Sequence, residues 1–177
     1  MKEIQILDKK FREFISEQDI QERIKGLAVM INNDYKNKEV IFIGILNGAF
    51  MFAADLFKRI DIKAKISFLK LASYSGTNSS GDVKNLIGCN DDLKDKSVII
   101  IEDIVDTGIT LEYIINGLKE KDVKDIKVAS LLLKPESYRK SIPVDYTGFE
   151  IPDNFVVGYG LDYEGFGRNL SSIYTLL

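Results

Sequence analysis

Histidine is missing from all 177 residues, and cysteine occurs once, at Cys89. The first absence removes the commonest general base, every His-based triad and most zinc sites, so any catalysis must use other groups. A single thiol forms no internal disulfide. With one thiol and many carboxylates, the metal this composition would serve best is a hard, oxygen-loving ion such as Mg²⁺. A basic excess is also lacking: 24 Lys and Arg face 27 Asp and Glu, for a net charge of −3. Nucleic acid is therefore not expected as a partner, and an anionic ligand must be held by a local site. No N-terminal apolar segment resembles a signal peptide or a membrane span, which sets the expectation of a cytoplasmic protein without a membrane partner. There is no internal repeat, linker or low-complexity segment, and no G-x-G-x-x-G follows the first strand, which argues against a dinucleotide dehydrogenase. The length suits one domain, 1–177.

What is present is organised around Val98 to Thr110, V-I-I-I-E-D-I-V-D-T-G-I-T. Val98 to Ile101 read as a strand buried on both faces of a parallel sheet. Glu102, Asp103 and Asp106 crowd its end, and Thr107, Gly108 and Thr110 lead into a helical pattern at Leu111, Ile114, Ile115 and Leu118. A helix N-terminus offers unpaired N–H groups and partial positive charge, so this loop is a candidate phosphate cradle. Adjacent carboxylates repel, and are easier to explain facing hydroxyl groups or a metal than simply buried. The competing reading is an ordinary polar strand-to-helix loop capped by Asp106 or Thr107.

Elsewhere the pattern alternates strand and helix. Met1 to Ile15 reads as an extended segment lying against the domain. Ser16 with Asp19 approximates a capping box for an amphipathic helix ending near Asn32 to Asn37. Val40 to Leu46 is a strand, Asn47-Gly48 a turn that is either ordinary or a second anion loop at the same sheet edge, and Ala49 to Ile60 a helix. Ala64 to Ala72 reads as a strand, with Val83 to Ile87 returning antiparallel to it. The polar stretch Ser73 to Asp82 between them is an active-site lid or a disordered tip, and Tyr74 favours the lid by offering a large covering side chain. Ile126 to Leu133 forms another strand. Lys134 at its end is a solvated terminus or a ligand at the edge where open α/β sheets bind. Phe155 to Tyr159 is strand-like, with Phe155 a core residue on the simplest view. The sum is an α/β fold, a mostly parallel sheet with helices on both faces.

Five segments, in order, resemble the hypoxanthine/guanine phosphoribosyltransferases, type I phosphoribosyltransferases that use 5-phosphoribosyl-1-pyrophosphate (PRPP). They are L-N-G-A-F at Leu46, S-Y and S-S-G-D-V-K between Ser73 and Lys84, E-D-I-V-D-T-G-I-T at Glu102, A-S-L-L-L-K at Ala129, and I-P-D-N-F-V-V-G-Y-G-L-D-Y at Ile151. The resemblance implies a small hood built from the chain ends, a long flexible hairpin loop, and a homodimer or homotetramer. It also implies the reaction of PRPP with a 6-oxopurine, giving a purine nucleoside 5′-monophosphate and pyrophosphate, with Mg²⁺. Residue by residue, it assigns Glu102 and Asp103 to the ribose hydroxyls, directly or through Mg²⁺, and Asp106 to the proton at purine N7. The 5′-phosphate loop would be Asp106, Thr107, Gly108, Ile109 and Thr110. The pyrophosphate loop would be Leu46, Asn47 and Gly48, where the family often has a non-proline cis peptide, with Arg168 as a further pyrophosphate contact. Lys134 would donate to purine O6 and Phe155 would stack on the base. Val156 and Asp162 would line the base edge, Asp162 reaching a second Mg²⁺ through water. Ser73 and Tyr74 would belong to the lid. Asn47 departs from the Lys or Arg of many relatives, and Glu164 to Gly167 carries two glycines where relatives are bulkier. The rival class is a nucleotide-binding regulator that kept the PRPP loop without catalysis.

Overall fold

Ser16 starts the first helix. Its Oγ accepts a hydrogen bond from the Asp19 N–H at 3.2 Å, and its hydroxyl donates to Asp19 Oδ2 at 2.6 Å. This satisfies one of the helix's free amide groups and opens α1 (Glu17–Asp34). Ile20, Ile24, Leu27, Ala28 and Ile31 are buried on one face of α1, the face the sequence periodicity marks out. The computed structural model describes residues 2–72, 84–87 and 92–177. Ser73 and Tyr74, the expected lid residues, lie outside the described residues.

The main sheet has six strands, and chain order does not match spatial order. β3 (Glu39–Leu46), β4 (Lys63–Ala72), β5 (Lys84–Ile87), β6 (Ser97–Val105), β7 (Asp125–Leu133) and β8 (Tyr146–Glu150) lie as β5-β4-β3-β6-β7-β8. β5 runs antiparallel to β4, as expected of the hairpin, and the other pairs are parallel. α2 (Phe50–Phe57) follows β3, and α3 (Ile109–Lys119) follows β6. Successive side chains of a strand point to opposite faces, and the core divides accordingly. Val40, Phe42, Ile99, Ile101, Ala129 and Leu131 pack with α1 and α2, while Ile41, Ile43, Val98, Ile100 and Val128 pack with α3. Helices therefore cover both faces.

The chain ends form a separate four-stranded layer of order β1-β2-β10-β9, from β1 (Glu3–Ile6), β2 (Lys9–Ile15), β9 (Val156–Val157) and β10 (Ile173–Leu176). This is the small hood. The N-terminal segment is thus a hairpin and not merely extended chain. β8 and β10 carry no clear alternation and were not expected as strands. The strand expected over Phe155 to Tyr159 shortens to two residues, because Gly158, Tyr159 and Gly160 all have positive φ (100°, 51° and 101°) and turn the chain away. α2 is shorter than the expected Ala49 to Ile60, since Arg59 and Ile60 close onto Leu56 and Phe57 in tighter turns.

One registration feature positions everything that follows. The β3–β6 ladder stops at Gly44↔Ile101, whereas the β6–β7 ladder continues to Val105↔Leu133. β3 leads on to β4 on one side and β6 to β7 on the other, so the gap opens where the connections diverge, the usual ligand position in open α/β sheets.

Replacing the cap tests the local logic of the fold. Ser16→Ala should lower the unfolding free energy by about 1 kcal/mol in urea denaturation while leaving the site untouched. An unchanged midpoint would show that α1 is held by packing alone.

Candidate active site

β6 extends beyond the four apolar residues and carries the first two carboxylates within the strand. Glu102 is buried, and burial, reinforced by the adjacent Asp103, pushes its carboxyl well above the usual range. Asp103 is raised to about 6, chiefly by burial. The Ile104 N–H donates to its Oδ1 at 2.9 Å, and this and the Arg168 charge pull the other way. Neither carboxylate has an ion-pair partner within 4.0 Å among the described residues.

The Leu46–Asn47 peptide is cis, and the next residue meets Asp103. A Cβ on Gly48 would stand 1.5 Å from Asp103 Oδ2, so only glycine allows this approach. Gly48 is covered in turn by Gly160, whose Cβ would fall 2.0 Å from the Gly48 carbonyl oxygen. Arg168 braces the covering segment: Nη1 donates to Gly160 O at 2.6 Å and Nη2 pairs with Asp162 Oδ1 at 2.6 Å. Asp162 Oδ2 accepts from the Gly165 N–H at 2.7 Å, so both oxygens of Asp162 are engaged within the protein.

Past Val105 the chain makes the turn Asp106-Thr107-Gly108 and enters α3. The cap is neither Asp106 nor Thr107. It is Gly108, with φ 83° and no side-chain cap bond. Among the described residues, the opening N–H groups of α3 thus lack a side-chain cap, apart from a long 3.5 Å approach of the Ile109 N–H to Thr107 Oγ1. Thr107, Ile109 and Thr110 are exposed at this end. Uncapped amides at an exposed helix start suit an oxyanion. Tyr138 and Lys140 lie against Gly108, 2.4 and 2.9 Å from where its Cβ would be, and Lys140 Nζ is anchored on Glu112 at 2.7 Å.

Lys134 sits beside this turn, since its N–H donates to Val105 O at 3.0 Å. It is not a solvated strand end: the residue is 8% exposed, and its Nζ lies 3.1 Å from Asp106 Oδ2 and 2.9 Å from Asp153 Oδ1. Burial pulls the ammonium pKa down, but the bonds to Asp153 and Asp106 outweigh it and leave the group above its ordinary value. Asp153 was not singled out from sequence; it lies in the I-P-D-N-F stretch without periodicity to mark it. Two residues later, Phe155 is 46% exposed and not in the core. Its ring meets Tyr163 edge-on at 6.0 Å, with Lys9 Nζ 4.4 Å from the Tyr163 ring centroid. Val156 turns its side chain into the core, so only its backbone is available at that edge.

The phosphoribosyl transferase domain family matches residues 14–164. The hypoxanthine-guanine phosphoribosyltransferase of Staphylococcus epidermidis is 45% identical over 92% of this chain and 91% of that protein; its Bacillus subtilis counterpart is 41% identical over the same shares. The chain belongs to the hypoxanthine-guanine phosphoribosyltransferase family. Among solved structures, a hypoxanthine phosphoribosyltransferase of Staphylococcus aureus superposes with TM-score 0.89 at 41% identity, covering 94% of this chain and 91% of that one. A hypoxanthine-guanine phosphoribosyltransferase of Bacillus anthracis, with HEPES in its active site, gives 0.87 at 37% identity over 94% and 96%.

For a phosphoribosyltransferase the buried acids have a cost that can be measured. In the folded chain Asp103 holds its proton to about 6, above the 3.8 of an unperturbed carboxyl. Ionising it therefore destabilises the fold at pH values above the unfolded pKa, fully so once pH exceeds the folded one. Asp103→Asn keeps an acceptor for the Ile104 N–H and removes the charge. Its unfolding free energy near pH 8 should exceed wild type by roughly 1–3 kcal/mol, and the gain should vanish towards pH 4. A variant less stable than wild type at pH 8 would refute the cost assigned to burial.

Proposed function

We propose that the chain transfers the 5-phosphoribosyl group of PRPP to N9 of hypoxanthine and of guanine, giving IMP or GMP and pyrophosphate. The observation that carries this reading is the Lys134 ammonium, buried between Asp106 and Asp153 and adjoining the uncapped start of α3. A donor suited to a purine beside a helix start suited to a phosphate supports this reading. An ammonium has three N–H groups and no acceptor; with two directed at carboxylates, the third suits the 6-oxo oxygen.

In this reading the α3 start, from Asp106 to Thr110, binds the 5′-phosphate, and Glu102 and Asp103 face the ribose hydroxyls. The loop at Leu46, Asn47 and Gly48 holds the pyrophosphate, backed by Arg168. Phe155 stacks on the base, with Val156 and Asp162 at its edge. N9 attacks C1′ as the bond from C1′ to the pyrophosphate oxygen breaks, the electron pair leaving with pyrophosphate. Asp106 takes the proton from N7. Among the described residues no three acidic, His or Cys groups are arranged to hold a metal unaided. Glu102 and Asp103 nevertheless supply two hard oxygen donors, which suits Mg²⁺ sharing its coordination with ligand oxygens and water. When bound, such an ion would neutralise charge on the pyrophosphate leaving group. Among the described residues no helix is long and apolar enough to cross a membrane. The reading includes a cytoplasmic location and a homodimer or homotetramer. A regulator without catalysis gains no support from these relatives, which are named as enzymes.

Two variants test the assignments. Asp106→Asn keeps the shape and loses the base, and should lower kcat by about 10²–10⁴ with little change in the Kd for PRPP; near-normal turnover would remove Asp106 from proton transfer. Lys134→Gln offers a carbonyl as well as an amide. Wild type should reject adenine by a large factor, on the order of 10⁴, because a 6-amino group leaves the buried donor unpaired. In the variant, kcat/KM on hypoxanthine should fall and the gap to adenine should narrow. A constant ratio between the two bases would mean that the 6-position is read elsewhere.

A further inference from the structure

Tyr159 has no place in the scheme above, yet it is 1% exposed and has a positive φ between two glycines that share that conformation. Its hydroxyl crosses to α2 and donates to Asp55 Oδ2. Asp55 is itself held, by Gln21 Nε2 at 2.7 Å and by Lys58 Nζ at 2.6 Å, and Arg59 donates to Gln21 Oε1 at 2.9 Å. The tyrosine is thus fastened to a rigid helical corner.

Both ends of that fastening lead to the same loop. α2 begins at Phe50, one residue beyond Asn47-Gly48 with Ala49 as its cap, and the Phe50 N–H donates to Asn47 O. On the other side, Tyr159 is followed by Gly160, whose backbone lies against the Gly48 carbonyl and carries the Arg168 guanidinium. Gly48 in turn touches Asp103. We infer that Tyr159 is a positioning residue for the Leu46–Gly48 loop: its hydroxyl, anchored on Asp55, sets how closely Gly160 presses on Gly48 and so shapes the pyrophosphate end of the site. The inference rests on the proposed reading of that loop as the pyrophosphate loop.

A phenol buried merely for stability would show itself in melting temperature. A positioning residue also separates the two substrates, because the loop serves PRPP and pyrophosphate and the base lies at the Lys134 end. Tyr159→Phe keeps the ring and deletes only the hydroxyl, which donates to Asp55 and accepts a long 3.5 Å approach from Gln21 Nε2. At saturating Mg²⁺ its KM for PRPP, and for pyrophosphate in the reverse reaction with IMP, should rise about 5- to 50-fold, while the KM for hypoxanthine changes less than about twofold. Asp55→Ala removes the acceptor from the other side and should give the same split. The double variant should add little to either single one, as expected of two groups acting through one bond. Gly48→Ala, which intrudes on the loop itself, separates the two levels of the argument. If Gly48→Ala raises the KM for PRPP and neither Tyr159→Phe nor Asp55→Ala does, the positioning role is overturned and the loop assignment stands. If Gly48→Ala also leaves it unchanged, both are overturned. A uniform rise in the KM of PRPP and hypoxanthine would make Tyr159 a structural residue and would likewise overturn the inference.

Discussion

Two carboxylates with no ion-pair partner in reach among the described residues, at the edge of a buried sheet, are the constraint that the rest of this structure serves. Glu102 and Asp103 are held in a setting that disfavours their charge, both chiefly by burial and to a lesser degree by proximity to another acid. Such an arrangement persists only if the surrounding fold contributes enough to offset it. The two-sided core does so, with Val98, Ile99, Ile100 and Ile101 buried on alternating faces immediately before the acids. The most buried run of β6 thus leads directly into its two least comfortable residues.

The neighbouring strand has to leave to give those acids room. β3 stays paired with β6 as far as Gly44↔Ile101 and then turns through the Asn47-Gly48 loop. Because Gly48 has no side chain, the loop still closes to contact distance on Asp103. The glycines at 48 and 160 are stacked approaches in one direction, each admitting the next backbone layer. The loop at Leu46 to Gly48, the covering segment at Gly160 and the Asp103 carboxylate are therefore packed in one stack, and Tyr159 adjoins its outer layer.

The central motif was legible because its physics is local. A β-branched run, adjacent acids, a glycine and a helical period each have short-range causes, and β6, α3 and their loop follow directly from them. The capping of α1 by Ser16 was legible for the same reason. The surroundings of Lys134 were not. Lys134 as a bare sequence position is an unremarkable strand terminus, and what distinguishes it is Asp153, nineteen positions later, converging on its ammonium together with Asp106. Residue patterns along one chain carry no record of such a convergence, and the assignment of Lys134 came from resemblance. Likewise Phe155 has the composition of a core residue, yet it stands 46% exposed just before β9, while Val156 and Val157 after it are buried.

The hood ties the two ends of the chain together. β9, which presents Phe155, pairs with β10, and β10 pairs with β2 near the start of the sequence. Lys9 at the start of β2 leans over the Tyr163 ring, and the Tyr163 hydroxyl donates to Asp8 at 2.9 Å. The ring flanking Phe155 is thereby fixed by residues almost the full length of the chain away. For the stacking role proposed for Phe155, an orientation set before the base arrives is an advantage, since ordering it afterwards would consume binding energy. The hairpin at the N-terminus provides that order. In the proposed reading it thereby serves the ligand end of the molecule along with the acids of β6, although nothing in the sequence of Glu3 to Ile15 points to a ligand.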